Sequence, residues 1–321
     1  KLQHRLLWLP NNSKLWIETM DKSDIKIAMF WEFYEDDPNY WSSTSGINHH
    51  LKKMVDTVDN YHIPKEDKSL GFKEFLNQGK QYDACILWNA GSLREGTPYW
   101  RKDVLKDCLL VLEAGDEPQA YQQHIELSNQ SDLVLTTDLR CTWAYKQRGV
   151  NAHWFNSWCN EQIFHPRKSN DPEPDLGVIT TMYGDRRFEP EVASALGDKY
   201  LKKNDLEGNE NGEFFRRGKI IFQQARWGEI TRRIFEGMGC RKLVFTDYLH
   251  PDTGIYELFQ QRKDIIYYDN ANECIQLMNY FLEHDEEREE IANNGHEKIL
   301  KYHSSERRAE ELLSLIEKLI K

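Results

Sequence analysis

Short apolar runs alternate with amphipathic stretches along most of this chain, and their order predicts its architecture. Residues 24–31 are rich in Ile and aromatic side chains and are followed by polar sequence, which reads as a first core strand. A polar, aromatic-rich loop over 32–45 comes next, and Gly46 opens an expected helix that runs to Val58. Further strands are predicted at 82–88, 108–113, 132–136 and 152–155, with a helix over 138–148. Residues 166–175 hold three prolines among Lys, Ser, Asn and Asp, show no periodicity, and read as a linker. The rhythm then restarts, with strands at 176–181, 219–222, 243–246 and 265–268 and helices over 189–202 and 229–238. Everything from residue 272 onward is helical and heavily charged. Strands alternating with helices mark βαβ units and a parallel sheet. The expected fold class is α/β, with two Rossmann-like domains facing a cleft and helices at the C terminus. The domains are expected at 1–165 and 176–321, joined by 166–175.

A length of 321 residues agrees with two domains. With 39% hydrophobic and 12% aromatic residues, the chain is too apolar to be disordered. A net charge of −11 provides no general basic field, which disfavours nucleic acid and anionic lipid as partners but permits a local anion pocket. Six thinly spread cysteines form no CxxC pair, so reduced thiols and a cytoplasmic location are expected. No apolar run is long enough to span a membrane, and the four residues 6–9 are too short for a signal-peptide core.

The segment 228–240 carries the most chemistry. It follows a predicted buried strand and opens a helix, so its first turn lies at the carboxyl edge of a sheet. Unpaired backbone N–H groups and the helix dipole favour an anion there, and Arg232 and Arg233 add forks suited to phosphate oxygens. Glu236, one turn further on, is placed to accept from ribose hydroxyls. The small residues Gly237, Gly239 and Cys240 would let this helix approach its sheet closely. The plain alternative is an amphipathic helix with solvated charges. A second anion candidate is the turn over 180–187, where Gly184 permits a tight bend beside Tyr183, Arg186 and Arg187. In the N-terminal half, Gly46, His49 and His50 lie between the first strand and its helix, and either histidine is a candidate to position a hydroxyl or act as a base. Asp116 and Glu117 end another strand at the cleft edge, with a helix N-cap as their plain alternative. No Asp-x-Asp box stands in a suitable loop, and Glu35, Asp36 and Asp37 read as a solvated loop, so no metal or other cofactor is expected.

Residues 213–308 resemble the C-terminal half of GT-B glycosyltransferases of the "glycosyl transferases group 1" type, in the branch that includes CgeB-like proteins. The resemblance rests on EFFRRGKI at 213–220, EITRRIFEGMGC at 229–240, VFTDY at 244–248, ELF at 257–259, IYY at 266–268, and the stretches 286–292 and 295–300. Upstream, 131–136, 148–154 and 163–166 are similar to the end of that family's N-terminal domain. The resemblance implies a nucleotide-sugar donor held by Tyr183, Gly184, Arg186, Arg187, Glu229, Thr231, Arg232, Arg233 and Glu236. The acceptor (a glycan, a protein or another hydroxyl) would lie against Gly46, His49 and Glu117. In the wider superfamily a Glu-x7-Glu element touches sugar and ribose. Glu236 matches its second position, but Gly228 occupies the first and Glu229 comes one residue late. The implied activity is metal-independent glycosyl transfer in glycan biosynthesis, with retention favoured over inversion. If inversion holds, Asp116 or His50 is the base. A non-catalytic nucleotide-sugar or glycan-binding protein, and a sugar-nucleotide epimerase, stay open as alternatives on the same scaffold.

Overall fold

The computed structural model describes residues 24–32, 43–64, 67–88, 97–168, 174–206 and 208–320. The expected loop carboxylates Glu35, Asp36 and Asp37, the run 6–9 and the middle of the linker lie outside them. The N-terminal sheet contains β1 (Lys26–Trp31), β2 (Thr57–His62), β3 (Ala84–Leu87), β4 (Leu109–Ala114), β5 (Leu133–Thr136) and β6 (Ala152–Trp154), in the order β2-β1-β3-β4-β5-β6. All its neighbours pair in parallel. Its helices are α1 (Ser43–Met54), α2 (Leu70–Gln78), α3 (Tyr121–Gln130) and α4 (Leu139–Gln147).

The C-terminal sheet contains β7 (Leu176–Thr180), β8 (Tyr200–Lys202), β9 (Gly218–Phe222), β10 (Leu243–Asp247) and β11 (Ile266–Tyr268), in the order β11-β10-β9-β7-β8. It is also parallel throughout. The helices α5 (Glu189–Leu196), α6 (Gly208–Arg217), α7 (Arg232–Gly239), α8 (Ile255–Leu258), α9 (Ala271–Glu283) and α10 (Asp285–Tyr302) cover its two faces, and α11 (Ser305–Ile320) ends the chain. The predicted α/β class with two parallel-sheet domains is the observed one. Two edge strands, β2 and β8, take the place of helix ends expected at 57–58 and 200–202.

The domain boundaries need correction. Ala309, Leu312, Leu313 and Ile316 of α11 join Ile47 and Leu51 of α1 in the core that covers Ile27, Met29, Ile86 and Trp88. The last helix therefore belongs to the N-terminal domain, although it follows the C-terminal one in sequence. Conversely, Cys159 and Phe164 pack into the C-terminal core, so the change of domain falls after Trp158 and before the prolines. Amphipathic spacing shows that a helix needs cover but not which sheet provides it. The two chain crossings lie side by side: Cys159 N donates to the His303 carbonyl at 2.9 Å, and Ser305 N donates to the Cys159 carbonyl at 2.9 Å.

Gly46 does not line an open cleft. A Cβ at this position would lie 2.8 Å from Ser305 Cβ and 2.9 Å from Asn160 Cγ, so the missing side chain is what lets α1 meet the start of α11. Inside an exposed helix, Gly→Ala stabilises by about 1 kcal/mol. Here the sign should reverse, because turning the Ser305 side chain cannot move its Cβ. Gly46→Ala is expected to destabilise by about 1–3 kcal/mol, read as a lower urea midpoint. A raised midpoint would show that the helices do not meet there.

Candidate functional site

In an open parallel sheet, ligands bind beyond the carboxyl ends of the strands where the strand order reverses. In the C-terminal sheet that point lies between β7 and β9, because the chain leaves β7 for the outer strand β8 before returning to β9. The loops after β7 (181–188) and β9 (223–231) meet there. Each holds a glycine in the left-handed region, Gly184 at φ 64° and Gly228 at φ 71°. Arg186 fastens them together. Its Nε donates to the Gln224 carbonyl at 3.0 Å, and its Nη1 donates to the carbonyls of Tyr183 at 2.5 Å and Asp185 at 3.2 Å. Burial lowers its pKa. Arg186, which the resemblance implies as a donor contact, is thus first a loop fastener. Arg187 is exposed and lies over the Phe188 ring at 4.9 Å.

Helix α7 leaves this crevice. Thr231 occupies its N-cap position with extended backbone, yet the hydroxyl makes no capping bond and is buried without a partner. The first-turn N–H groups lack a side-chain cap, an arrangement that receives an anion. Arg233 Nε donates to Thr181 Oγ1 at 3.1 Å, and its guanidinium lies 5.6 Å from the centre of the Tyr183 ring. Arg232 lies 5.5 Å from the Trp158 ring, which brings the N-terminal domain against the same turn. Gly237 lets the helix sit close, since a Cβ there would be 2.8 Å from Val244 Cγ2.

Glu236 is the anomaly of the helix. It is 4% exposed, and although its backbone carbonyl accepts from Cys240 N at 3.0 Å, its carboxylate makes no hydrogen bond among the described residues. Burial pushes its pKa up to about 7, against the pull of Arg233 and Arg232. Glu229 is placed differently: its carboxylate accepts from Arg226 N at 3.2 Å and Trp227 N at 2.6 Å, so it shapes the turn. Sequence reading gave no role to Asp247, Tyr248 or Trp227. Asp247 accepts from Ala225 N at 2.8 Å, and burial raises its pKa to about 6. Tyr248, half exposed, stacks on Tyr267 at 5.5 Å beside the same loop. For Asp247 and Tyr248 the available signals were the end of a predicted strand and the matched stretch VFTDY; for Trp227 there was none.

On the N-terminal side, Asp116 is exposed at the end of β4 with φ 56°, a strained value for a non-glycine residue. Glu117 is not a cleft residue. It is 2% exposed, accepts from Tyr145 Oη at 2.6 Å, and is held by Thr136 Oγ1 and His124. His50 is not a free base either: its Nε2 lies 2.7 Å from Glu161 Oε1, whose partner oxygen accepts from Ser305 N at 2.8 Å. That pair ties α1 to the domain crossings. His49 is exposed, with its pKa lowered by partial burial and by Lys53 and His50. Across the cleft, Arg140 at the start of α4 donates Nη2 to the Gly228 carbonyl at 2.9 Å and pairs with Asp138. Among the described residues no group of three His, Cys, Asp or Glu side chains is arranged to hold a metal, and no helix is long and apolar enough to cross a membrane.

Residues 174–314 match the family described as glycosyl transferase-like. HepE from Anabaena, solved with UDP and glucose, superposes with a TM-score of 0.66 at 11% identity over 91% of this chain and 100% of that one. This chain has the GT-B fold. Sucrose-phosphate synthase from Thermosynechococcus elongatus shares it (TM-score 0.64, 12% identity, 92% of this chain and 99% of that one). So does a glycosyltransferase from Rickettsia africae (0.60, 10%, 93% and 99%). No curated protein sequence matches the chain. In this GT-B chain the glycosyl transferase-like match includes both crevice loops and the whole of α7.

Two outcomes follow for the crevice. Arg186→Ala would leave the Gln224 and Tyr183 carbonyls unserved, and should lower stability by about 1–3 kcal/mol; an unchanged urea midpoint would remove its fastening role. Glu236 holds its proton up to about pH 7 when folded, against an ordinary value of 4.5. The folded state then binds more protons than the unfolded state between these values, so stability falls as pH rises through them. Glu236→Gln should abolish that fall, becoming more stable than the parent by on the order of 3 kcal/mol above pH 7. Parallel pH profiles in urea melts would show that the carboxyl is not desolvated.

Proposed function

We propose that this protein is a glycosyltransferase that moves a sugar from a nucleoside-diphosphate donor to an acceptor hydroxyl without a metal. The observation that carries this reading is the uncapped start of α7, with Arg233 at its first turn and the unpartnered Glu236 one turn beyond, at the switch point of a glycosyl transferase-like domain. An anion at the helix start meets unpaired N–H groups and the fixed charge of Arg232 and Arg233, with Arg187 exposed on the adjoining loop. Guanidinium groups in these positions neutralise a leaving diphosphate, which is the service a divalent cation gives in other transferases. HepE, of the same fold, is solved with UDP and with UDP-glucose, which supports a nucleotide-sugar donor here.

Glu236 is suited to two vicinal ribose hydroxyls, because an ionised carboxylate accepts from both and a neutral one does not. In the retaining course the bond from the sugar's anomeric carbon to the diphosphate breaks on the face where the acceptor oxygen bonds, and the diphosphate takes the acceptor proton. No side-chain base is then needed. In the inverting course Asp116 is the available carboxylate, since His50 is engaged by Glu161. The acceptor lies against the N-terminal domain, near His49 and Asp116. A cytoplasmic enzyme of glycan assembly fits this reading.

The test incubates the protein with a panel of nucleotide sugars, with and without acceptor extracts and in excess chelator, and measures nucleoside diphosphate release. Acceptor-dependent release in chelator is expected. Binding without release points to a non-catalytic protein, and epimerised donor points to an epimerase. Glu236→Ala should weaken binding of the matching ribonucleoside diphosphate by roughly 10–150-fold, the equivalent of ~1.5–3 kcal/mol. It should leave binding of the 2′,3′-dideoxy analogue unchanged. Equal loss for both ligands would take Glu236 out of the ribose contact.

A further inference from the structure

The amino edge of the C-terminal sheet holds a second site of a different kind. About five strand residues at roughly 3.3 Å each separate it from the crevice loops, and α7 runs between the two, with Arg232 at one end and Cys240 just past the other. A cavity of about 450 Å³ opens there, between the start of β9, the turn joining α7 to β10, the first turns of α10 and the prolines at 166 and 174. Its charged lining is five cations (Arg167, Lys219, Arg241, Lys242 and Arg288) against two carboxylates, Asp285 and Glu289. In a chain of net charge −11, a local excess that stays at two positive charges with Arg167 left out is not a consequence of composition.

The pairing inside the cavity is incomplete. Arg288 Nη1 donates to Asp285 Oδ1 at 2.5 Å and to the Phe281 carbonyl at 2.8 Å, so one cation and one carboxylate satisfy each other. Lys242 is 9% exposed, lines the cavity, and its ammonium has neither a hydrogen bond nor an ion pair among the described residues. Burial, with Arg241, Arg288 and Arg167 nearby, draws it down to about 8 despite an opposite pull from Cys240. With its stem buried and its ammonium open to the cavity, Lys242 presents an uncompensated charge there that an anion would complete. The volume falls within the range of small-molecule sites and exceeds what one phosphate would fill. Leu243 and Ala292 supply an apolar part to the wall.

We propose that this cavity binds a phosphorylated small molecule, a phosphomonoester on a sugar-sized body, with its dianion between Lys242, Arg241 and Lys219. The excess charge of the lining calls for a dianion, and the remaining volume for a body beyond the phosphate. The site is separate from the proposed donor crevice and does not depend on that assignment.

Calorimetry with glucose 6-phosphate as the probe, and inorganic phosphate as the comparison, tests this on the full chain. The wild-type protein is expected to bind glucose 6-phosphate more tightly than phosphate, and an Arg232→Ala/Arg233→Ala variant should retain that binding. Lys242→Met should weaken it at least tenfold while leaving the melting temperature unchanged or raised, since a buried unpaired charge is removed. Arg241→Ala, at an exposed position, supplies the same test if the methionine variant fails to fold. Wild-type affinity should also fall as pH rises through about 8. Absence of binding, binding unchanged in both cavity variants, or binding lost in the double crevice variant would each overturn the proposal.

Discussion

A single buried guanidinium sets the geometry of the crevice. Parallel strands deliver their loops to one edge, but they do not fix how neighbouring loops lie against one another. Arg186 does that by bonding to carbonyls on both sides of the reversal between β7 and β9, where no sheet ladder reaches. Gln224 reinforces the junction, accepting from Phe188 N at 3.0 Å while its own carbonyl serves Arg186. With these loops fixed, Thr181 is in place to receive Arg233, and α7 starts where its unpaired N–H groups converge with that side chain. The proposed anion site is consequently preorganised by neutral carbonyls, which take up Arg186 and leave Arg232 and Arg233 as its positive groups.

Two glutamates of nearly equal burial show how structure and chemistry part. Glu117, 2% exposed, is surrounded by a phenol, a hydroxyl and an imidazole, and holds the end of β4 against α3 and α4. Glu236, 4% exposed, has only the field of two arginines. Buried polar groups are normally bonded, and one that is not reduces stability unless a partner arrives. Satisfied burial identifies the first as part of the frame. Unsatisfied burial at the mouth of a crevice sets the second apart as a carboxyl that the frame does not use.

The same distinction explains what the sequence could and could not disclose. Central strands such as β3, ACIL, are buried on both faces and appear as uninterrupted apolar runs, so they were legible. The edge strands β2 and β8 have polar, half-exposed sequences, TVDNYH and YLK, and look like helix ends or loop. The positions of Arg232, Arg233 and Glu236 on one helix followed from spacing, because local periodicity determines them. The work of Arg186, Glu117 and His50 did not, since each depends on partners brought in by tertiary folding: Gln224, Tyr145 and Glu161. Asp116 and Glu117 make the point at closest range, adjacent in sequence and opposite in exposure.

The return of α11 to the first domain also matters to the order in which the molecule can be completed. A ribosome releases the amino-terminal half first, but that half lacks the helix that covers Ile47, Leu51 and Trp88. Some 150 further residues must be translated before α11 emerges, which takes roughly 10–30 s at ordinary elongation rates. Throughout that interval an apolar face of the nascent first domain stays open to solvent and to neighbouring chains. Until the sixteen residues of α11 have left the exit tunnel, the first domain's own fold offers that face no cover from this helix.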